Sequence, residues 1–248
     1  FAAEDIAELL QNVGFEVSFD GLEATITVPY WRQDIHIPED IIEEVGRLAG
    51  FDTIAVTLPS RDFEAVQPSA FDQLRALLRK TLVRAGANEI LSYSFVHGDL
   101  LKKSGQQPDD AYRIINSISP DLQYYRQSLT PSLLANVFPN SKAGYESFAL
   151  FELNKVHDKN RGLTDESVPV EHDSLSFVTA KVKDKSAAYY DAKNVLEYLA
   201  QHIGMTLNFT PLVGEDRPLY APFEPKRAAL VIDQKTGRTI GVVGEYKA

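Results

Sequence analysis

The apolar pattern of the first fifty residues switches from helical to alternating spacing and back, which excludes both a plain helical bundle and a plain β-sandwich for this part of the chain. Ile6, Leu9, Leu10 and Val13 recur at helical spacing, and Gly14 stops the run as a C-terminal cap would. Phe15 to Phe19 then alternates with period two, Asp20-Gly21 is a hairpin turn signal, and Ala24 to Val28 alternates again. Pro29 to Arg32 breaks the second strand. Helical spacing resumes at Pro38, with Glu39 and Asp40 in the first turn where the helix dipole favours acids, and continues through Ile41, Ile42, Val45 and Leu48 to Gly50. The spacing predicts a small helix-hairpin-helix domain over residues 1–58. Asp52 to Pro68, with scattered apolar residues and two prolines, reads as a linker.

Charge sets the same region apart. Residues 1–60 hold twelve Asp and Glu against Arg32 and Arg47, a balance of −10, which equals the net charge of all 248 residues. The remainder is therefore neutral overall. A polyanion would be repelled by the first domain and indifferent to the second, which argues against a free-standing nucleic-acid-binding module built on the small domain. A cation or a basic partner suits it better. Cysteine is absent, which removes disulfides, thiolate zinc sites and cysteine nucleophiles together. No apolar run approaches the roughly 18 residues that a spanning helix needs, and no signal peptide precedes the first helix, so no membrane role is expected. A start at Phe1 and an end just after a strand-like run read as a fragment of a longer chain.

The second domain, 69–248, opens with a helix over Ser69–Ala85 whose apolar face is Phe71, Leu74, Leu77, Leu78 and Leu82. Strands are expected at Ile90–Phe95, Tyr112–Ile115, Ser147–Leu153, Leu175–Val182 and Thr206–Phe209, with a hairpin of Ala228–Ile232 and Thr239–Val243. Leu100–Lys103 reads as a short helix. Further helices are expected at Pro131–Phe138, opened by Thr130 and Pro131, and at Tyr190–Ile203. Strands joined mostly by hairpins, with no glycine-rich strand-to-helix turn, predict an α+β fold: one antiparallel sheet flanked by helices.

The densest chemistry is at Trp31 to Glu44. Asp40, Glu43 and Glu44 stand at i, i+3 and i+4, so their carboxylates share one helix face, and Asp34 lies in the loop leading in. Hard oxygen ligands without Cys or paired His would suit Mg²⁺ or Ca²⁺ rather than zinc. A solvated acidic helix start explains the same spacing. The five histidines, His36, His97, His157, His172 and His202, form no close pair, and no nucleophile-elbow, P-loop or dinucleotide glycine motif occurs. Tyr189-Tyr190-Asp191 reads as a helix cap with aromatic packing. Lys226-Arg227 suits a phosphate in principle and a surface turn more simply.

Val28-Pro29-Tyr30-Trp31-Arg32-Gln33-Asp34-Ile35, then Glu39 to Val45 and Gly50-Phe51-Asp52-Thr53-Ile54, resembles the bacterial phenylalanyl-tRNA synthetase beta subunit, in the small domain that precedes its catalytic-like module. The rest follows in order. Asn116 to Pro120 with Tyr125 to Leu134 is similar to the family's NPLS…LRTSLLPGLL stretch, and Phe151 to Val156 to its LFEIGKVF strand. Tyr189 to Glu197 and Gly241 to Glu245 resemble its DLKG helix and GELHP strand.

This resemblance implies a subunit of phenylalanine–tRNA ligase that works in the cytoplasm in an (αβ)₂ heterotetramer with the alpha subunit, and that meets tRNA(Phe) through the intact enzyme. It implies a magnesium site shared with alpha at Asp34, Asp40, Glu43 and Glu44, and ATP bound only in alpha. It also implies that the second domain is a degenerate class II synthetase fold without catalysis of its own. The sequence agrees, because the strand Ala149–Val156 offers Phe151-Glu152 and no arginine to clamp an ATP α-phosphate.

Overall fold

The computed structural model describes residues 1–182, 187–214 and 217–247. The chain divides into two units, Phe1–Ala65 and Val66–Ala248. Of the expected second domain, Lys183 to Ser186, Glu215, Asp216 and Ala248 lie outside the described residues.

The first unit runs α1 (Ala3–Gln11), β1 (Glu16–Asp20), β2 (Glu23–Thr27) and α2 (Pro38–Ala49). The two strands pair antiparallel from Glu16 opposite Thr27 to Asp20 opposite Glu23, leaving Gly21-Leu22 as a two-residue loop with Gly21 at φ +62°. Gly14, which ends α1, is irreplaceable on two counts. Its φ is +93°, and a Cβ there would come within 2.8 Å of the Trp31 ring. The core is Leu10, Phe15 and Val45, surrounded by Ile6, Leu9, Val17, Ile26 and Ile41, so one face of each helix meets one face of the hairpin. Residues 54–68 carry no helix or strand.

The second unit contains α3 (Ala70–Arg84), β3 (Ala87–Glu89), β4 (Phe95–Val96), α4 (Gly98–Lys103), β5 (Tyr124–Tyr125), α5 (Thr130–Ala135), α6 (Val137–Lys142), β6 (Ser147–His157), β7 (Glu171–Lys181), α7 (Ala188–His202), β8 (Leu207–Pro211), β9 (Phe223–Asp233) and β10 (Thr239–Tyr246). The class is mixed α+β. Leu82, Ala87, Phe151 and Leu199 join α3, β3, β6 and α7 in one buried cluster. Ala229, Val231 and Val243 form another, on which Ala192 and Leu196 of α7 pack. One helix therefore covers both main sheets.

Several elements differ from the sequence expectation. In place of one antiparallel sheet, the described residues of the second unit form two three-stranded sheets, β3-β6-β7 and β10-β9-β8, and a small β4-β5 pair. Within the first, β3 runs parallel to β6, because the long excursion through α4, α5 and α6 returns the chain to the end it left. The expected strand Ile90–Phe95 is replaced by β3 and β4: Ser92 leaves the ladder, its N–H and hydroxyl both donating to Glu152, at 3.1 and 2.6 Å. The expected strand Tyr112–Ile115 is reduced to a single bridge, Arg113 opposite Tyr124. The expected helix Pro131–Phe138 splits at Asn136, since Pro139 has no N–H and its ring would crowd the Ala135 carbonyl in a continuous helix. Of the expected apolar face of α3, only Leu78 and Leu82 pack on the core; Phe71, Leu74 and Leu77 remain exposed.

Candidate functional site

The acidic stretch of the first unit is organised by an arginine rather than by its carboxylates alone. Arg32 lies in the loop after β2, and its guanidinium sits 5.8 Å over the Phe15 ring. Its Nε donates to Asp34 Oδ1 at 2.9 Å and its Nη2 to Asp34 Oδ2 at 2.6 Å. The same Nη2 donates to Glu44 Oε1 at 2.8 Å, and Nη1 donates to Glu44 Oε2 at 2.8 Å. Arg47, three residues on along α2, donates to both Glu44 oxygens as well, at 3.3 and 2.8 Å. Glu44 is buried. Two guanidinium forks thus meet on its carboxylate, a pairing of planar donors with planar acceptors that lysine would not reproduce.

Electrostatics follow the bonds. The hydrogen bonds from Arg32, then those from Arg47, hold the Glu44 carboxyl at about 2, well below its ordinary 4.5. Arg32 holds Asp34 at about 2 as well. Glu44 and then Asp34 push Arg32 above its already high range.

Asp40 has a different task. Its Oδ2 accepts from the His36 N–H at 2.7 Å and the Ile37 N–H at 3.0 Å, closing the first turn of α2 as the acidic half of a capping box. Those two N–H groups lower its pKa. Glu43 is exposed and makes none of these bonds. Of the four carboxylates the sequence groups together, the structure joins Asp34 to Glu44 through Arg32, assigns Asp40 to a cap and leaves Glu43 outward. Among the described residues no group of three or more His, Asp or Glu is arranged to hold a metal ion. As arranged here the four carboxylates do not form one Mg²⁺ site, because each oxygen of buried Glu44 already accepts two guanidinium N–H donors and Asp40 is committed to the cap.

Sequence reasoning missed a second clamp, in the second unit. Arg126, just after β5, is fully buried against β6. Its Nη2 donates to Glu152 at 3.1 Å, its Nη1 to the Ser92 hydroxyl at 2.7 Å and its Nε to the Lys155 carbonyl at 3.2 Å. Glu152 also accepts from the Asn154 amide at 2.8 Å. A glutamate in the apolar run Ala149-Leu150-Phe151-Glu152-Leu153 was the one available signal, since a carboxylate there has to find a buried partner.

The other candidates resolve as structure. Lys226-Arg227 lies on β9 and not in a turn, and Arg227 pairs with Glu245 at 2.8 Å. The first turn of α7 is met by Glu245, which accepts from the Tyr189 N–H at 3.4 Å, while the Tyr189 and Tyr190 rings pack edge to face. His97 caps α4 through Nδ1, accepting from the Asp99 N–H. His157 is buried with its Nε2 3.5 Å from Glu171, and burial lowers its pKa.

Residues 54–248 match the family model described as the phenylalanyl tRNA synthetase beta chain CLM domain, and residues 1–51 match the tRNA synthetase B5 domain. A phenylalanine–tRNA ligase beta subunit of Anaeromyxobacter dehalogenans is 32% identical over 214 residues, covering 82% of this chain and 27% of that protein. The beta subunit of Geobacillus kaustophilus is 30% identical over 252 residues, covering 98% of this chain and 30% of that protein. The chain thus spans less than a third of the length of these relatives. A pyrrolysyl-tRNA synthetase structure from Desulfitobacterium hafniense aligns over 66% of this chain and 53% of that one, at 13% identity and a TM-score of 0.47.

Proposed function

The chain belongs to the phenylalanyl-tRNA synthetase beta chain family, and on that premise we propose that it is a non-catalytic part of the cytoplasmic ligase that joins phenylalanine to its tRNA using ATP. Its task is assembly with the alpha subunit, where ATP binds, in an (αβ)₂ enzyme that engages tRNA(Phe) as a whole. The observation that carries this reading is the state of Arg126. It is the arginine held against β6, and three of its nitrogens are engaged inside the unit by Glu152, Ser92 and the Lys155 carbonyl. A buried, internally bonded guanidinium cannot reach a nucleotide phosphate, and activation of an amino acid depends on such charge neutralisation.

The assembly half is supported by α3. Phe71, Leu74 and Leu77 lie at spacings of three along the helix and are 47%, 41% and 36% exposed, an apolar stripe that a subunit partner would cover. The magnesium that the resemblance implies takes no part in this reading, because Glu44, one of its expected ligands, is fully engaged by Arg32 and Arg47.

The test is to mix the chain with the alpha subunit of its own organism and measure complex size by light scattering, alongside ATP–pyrophosphate exchange. The chain alone should show no exchange, and a complex should form that Leu74→Glu weakens about tenfold or more. Phenylalanine-dependent exchange by the chain alone, or its failure to bind alpha at all, would overturn the proposal.

A further inference from the structure

We infer that Arg32 is the cation of the acidic site in the first unit, in place of the divalent metal that the four-carboxylate pattern suggests. The inference rests on the geometry of the donors and is independent of the assembly reading. Mg²⁺ demands near-octahedral oxygen ligands at about 2.0–2.1 Å, each presenting a lone pair to the ion. Here Asp34 accepts along the Nε–Nη2 edge of the Arg32 guanidinium and Glu44 along its Nη1–Nη2 edge. Arg32 reaches all four of their oxygens, at distances between 2.6 and 2.9 Å. Arg47 adds two more donors to Glu44. With four N–H donors on its two oxygens Glu44 has no lone pair left for a metal, and Asp40 has one oxygen committed to the cap, so the four carboxylates do not act together as one ligand set.

Charge balance leads to the same assignment. Asp34 and Glu44 contribute two negative charges and Arg32 and Arg47 two positive ones, so the bonded group is neutral by itself, with Asp40 and Glu43 standing outside it. A dication placed among them would face two guanidiniums within a few ångströms and be repelled. Position also matters. Arg32 follows Trp31, whose ring covers Gly14, and its guanidinium rests over Phe15, so the fork is held by the end of α1 on one side and by α2 on the other. The clamp ties the loop after β2 to the second helix, a link a metal would otherwise supply. A corollary defines what removing it creates: with Arg32 gone, Asp34 and Glu44 become an open pair of hard oxygen ligands, suited to Mg²⁺ or Ca²⁺.

The chain has one tryptophan, Trp31, so its fluorescence reports the unfolding of the first unit alone. The experiment follows that signal through thermal melts of the whole chain in EDTA and in increasing MgCl₂ or CaCl₂. A metal bound by the native state alone raises the midpoint steadily with the logarithm of its concentration. The wild-type midpoint should not depend on metal, and calorimetric titration with MgCl₂ should show no saturable heat. Arg32→Gln should melt lower in EDTA and regain part of the loss in MgCl₂ or CaCl₂, and adding Asp34→Asn should abolish that recovery. Arg32→Lys keeps the charge without the fork and should also melt lower. Saturable Mg²⁺ binding by the wild type that Asp34→Asn or Glu44→Gln removes would overturn the inference, and so would a wild-type midpoint in Arg32→Lys. Because the wild-type titration needs no variant, misfolding of Arg32→Gln leaves the test intact.

Discussion

Each unit of the molecule is locked by an arginine–glutamate clamp, and the two clamps sit in different solvents. In the second unit, Arg126 and Glu152 are both 0% exposed; in the first, Arg32 is 21% and Asp34 63% exposed, with only Glu44 submerged. The buried clamp joins segments that sequence holds apart, residues 92, 126 and 152, and every charged atom in it needs its partner because water cannot replace it. The partly exposed clamp joins neighbours in one small unit, where solvent screens whatever the fork leaves unpaired. Similar chemistry therefore gives fold specification in one unit and local bracing in the other.

The largest expected effect breaks the buried clamp. Arg126→Met leaves the Glu152 carboxylate without its cation in a site closed to water, and should destabilise the second unit by about 3–5 kcal/mol. Denaturant unfolding followed by hydrogen exchange of the β6 amides measures this. The double variant Arg126→Met with Glu152→Leu should recover most of the loss, because no lone charge then remains, though Ser92 and Asn154 lose an acceptor. If the single variant costs no more than an ordinary surface change, the two clamps do not differ as described.

A smaller effect separates the units by pH. Asp34 and Glu44 titrate at about 2 when folded and near 4 when unfolded, so the unfolded chain takes up protons first as pH falls. Their contribution is complete above about pH 5 and is lost as pH drops from there toward 2. His157 and His172 in the second unit have folded pKa values lowered chiefly by burial, so the unfolded state binds protons more readily from about pH 6.5 downward. The second unit should therefore lose stability between pH 7 and 5, while the Trp31 signal of the first stays level. His157→Gln should flatten the slope of the second unit, and an unchanged slope would remove His157 from the account.

The clamps also mark where reading a sequence stops. Helices and hairpin were legible where a period was sustained, as in Ile6 to Val13 or Ser147 to Leu153, but the sustained face of α3 assigned Phe71, Leu74 and Leu77 to a core they do not enter. Asp40 was legible as a residue of the first turn of α2, because its role depends on neighbours three and four positions back. Glu44 was not, since its partner Arg32 lies twelve residues away and the helix face it shares with Asp40 and Glu43 suggested a metal instead. Ser92 shows the same failure in a strand: Ile90 to Phe95 alternates correctly, but a side chain sixty residues away draws Ser92 off the ladder. Pro139 was a missed local signal, for a proline near the end of an expected helix already forbids its continuation.

The smallest expected effect falls on Glu43, next in sequence to Glu44 and opposite to it in environment. Glu43 is exposed and belongs to neither the Arg32 fork nor the cap of α2. Glu43→Gln should therefore change the Trp31-reported stability of the first unit by no more than about 0.5 kcal/mol, the range of an ordinary surface substitution. Glu44→Gln replaces a carboxylate that accepts from two guanidiniums, and should lower the same midpoint clearly. The contrast sharpens further in complex with the alpha subunit. A magnesium ion ligated by all four carboxylates would make Glu43→Gln raise the Mg²⁺ needed for assembly, whereas an arginine-held cluster leaves it unchanged while Glu44→Gln alone disturbs the unit. Equal losses from the two substitutions would mean that Glu43 has a partner the isolated chain does not supply, and the division between the bonded and the outward carboxylates would have to be redrawn.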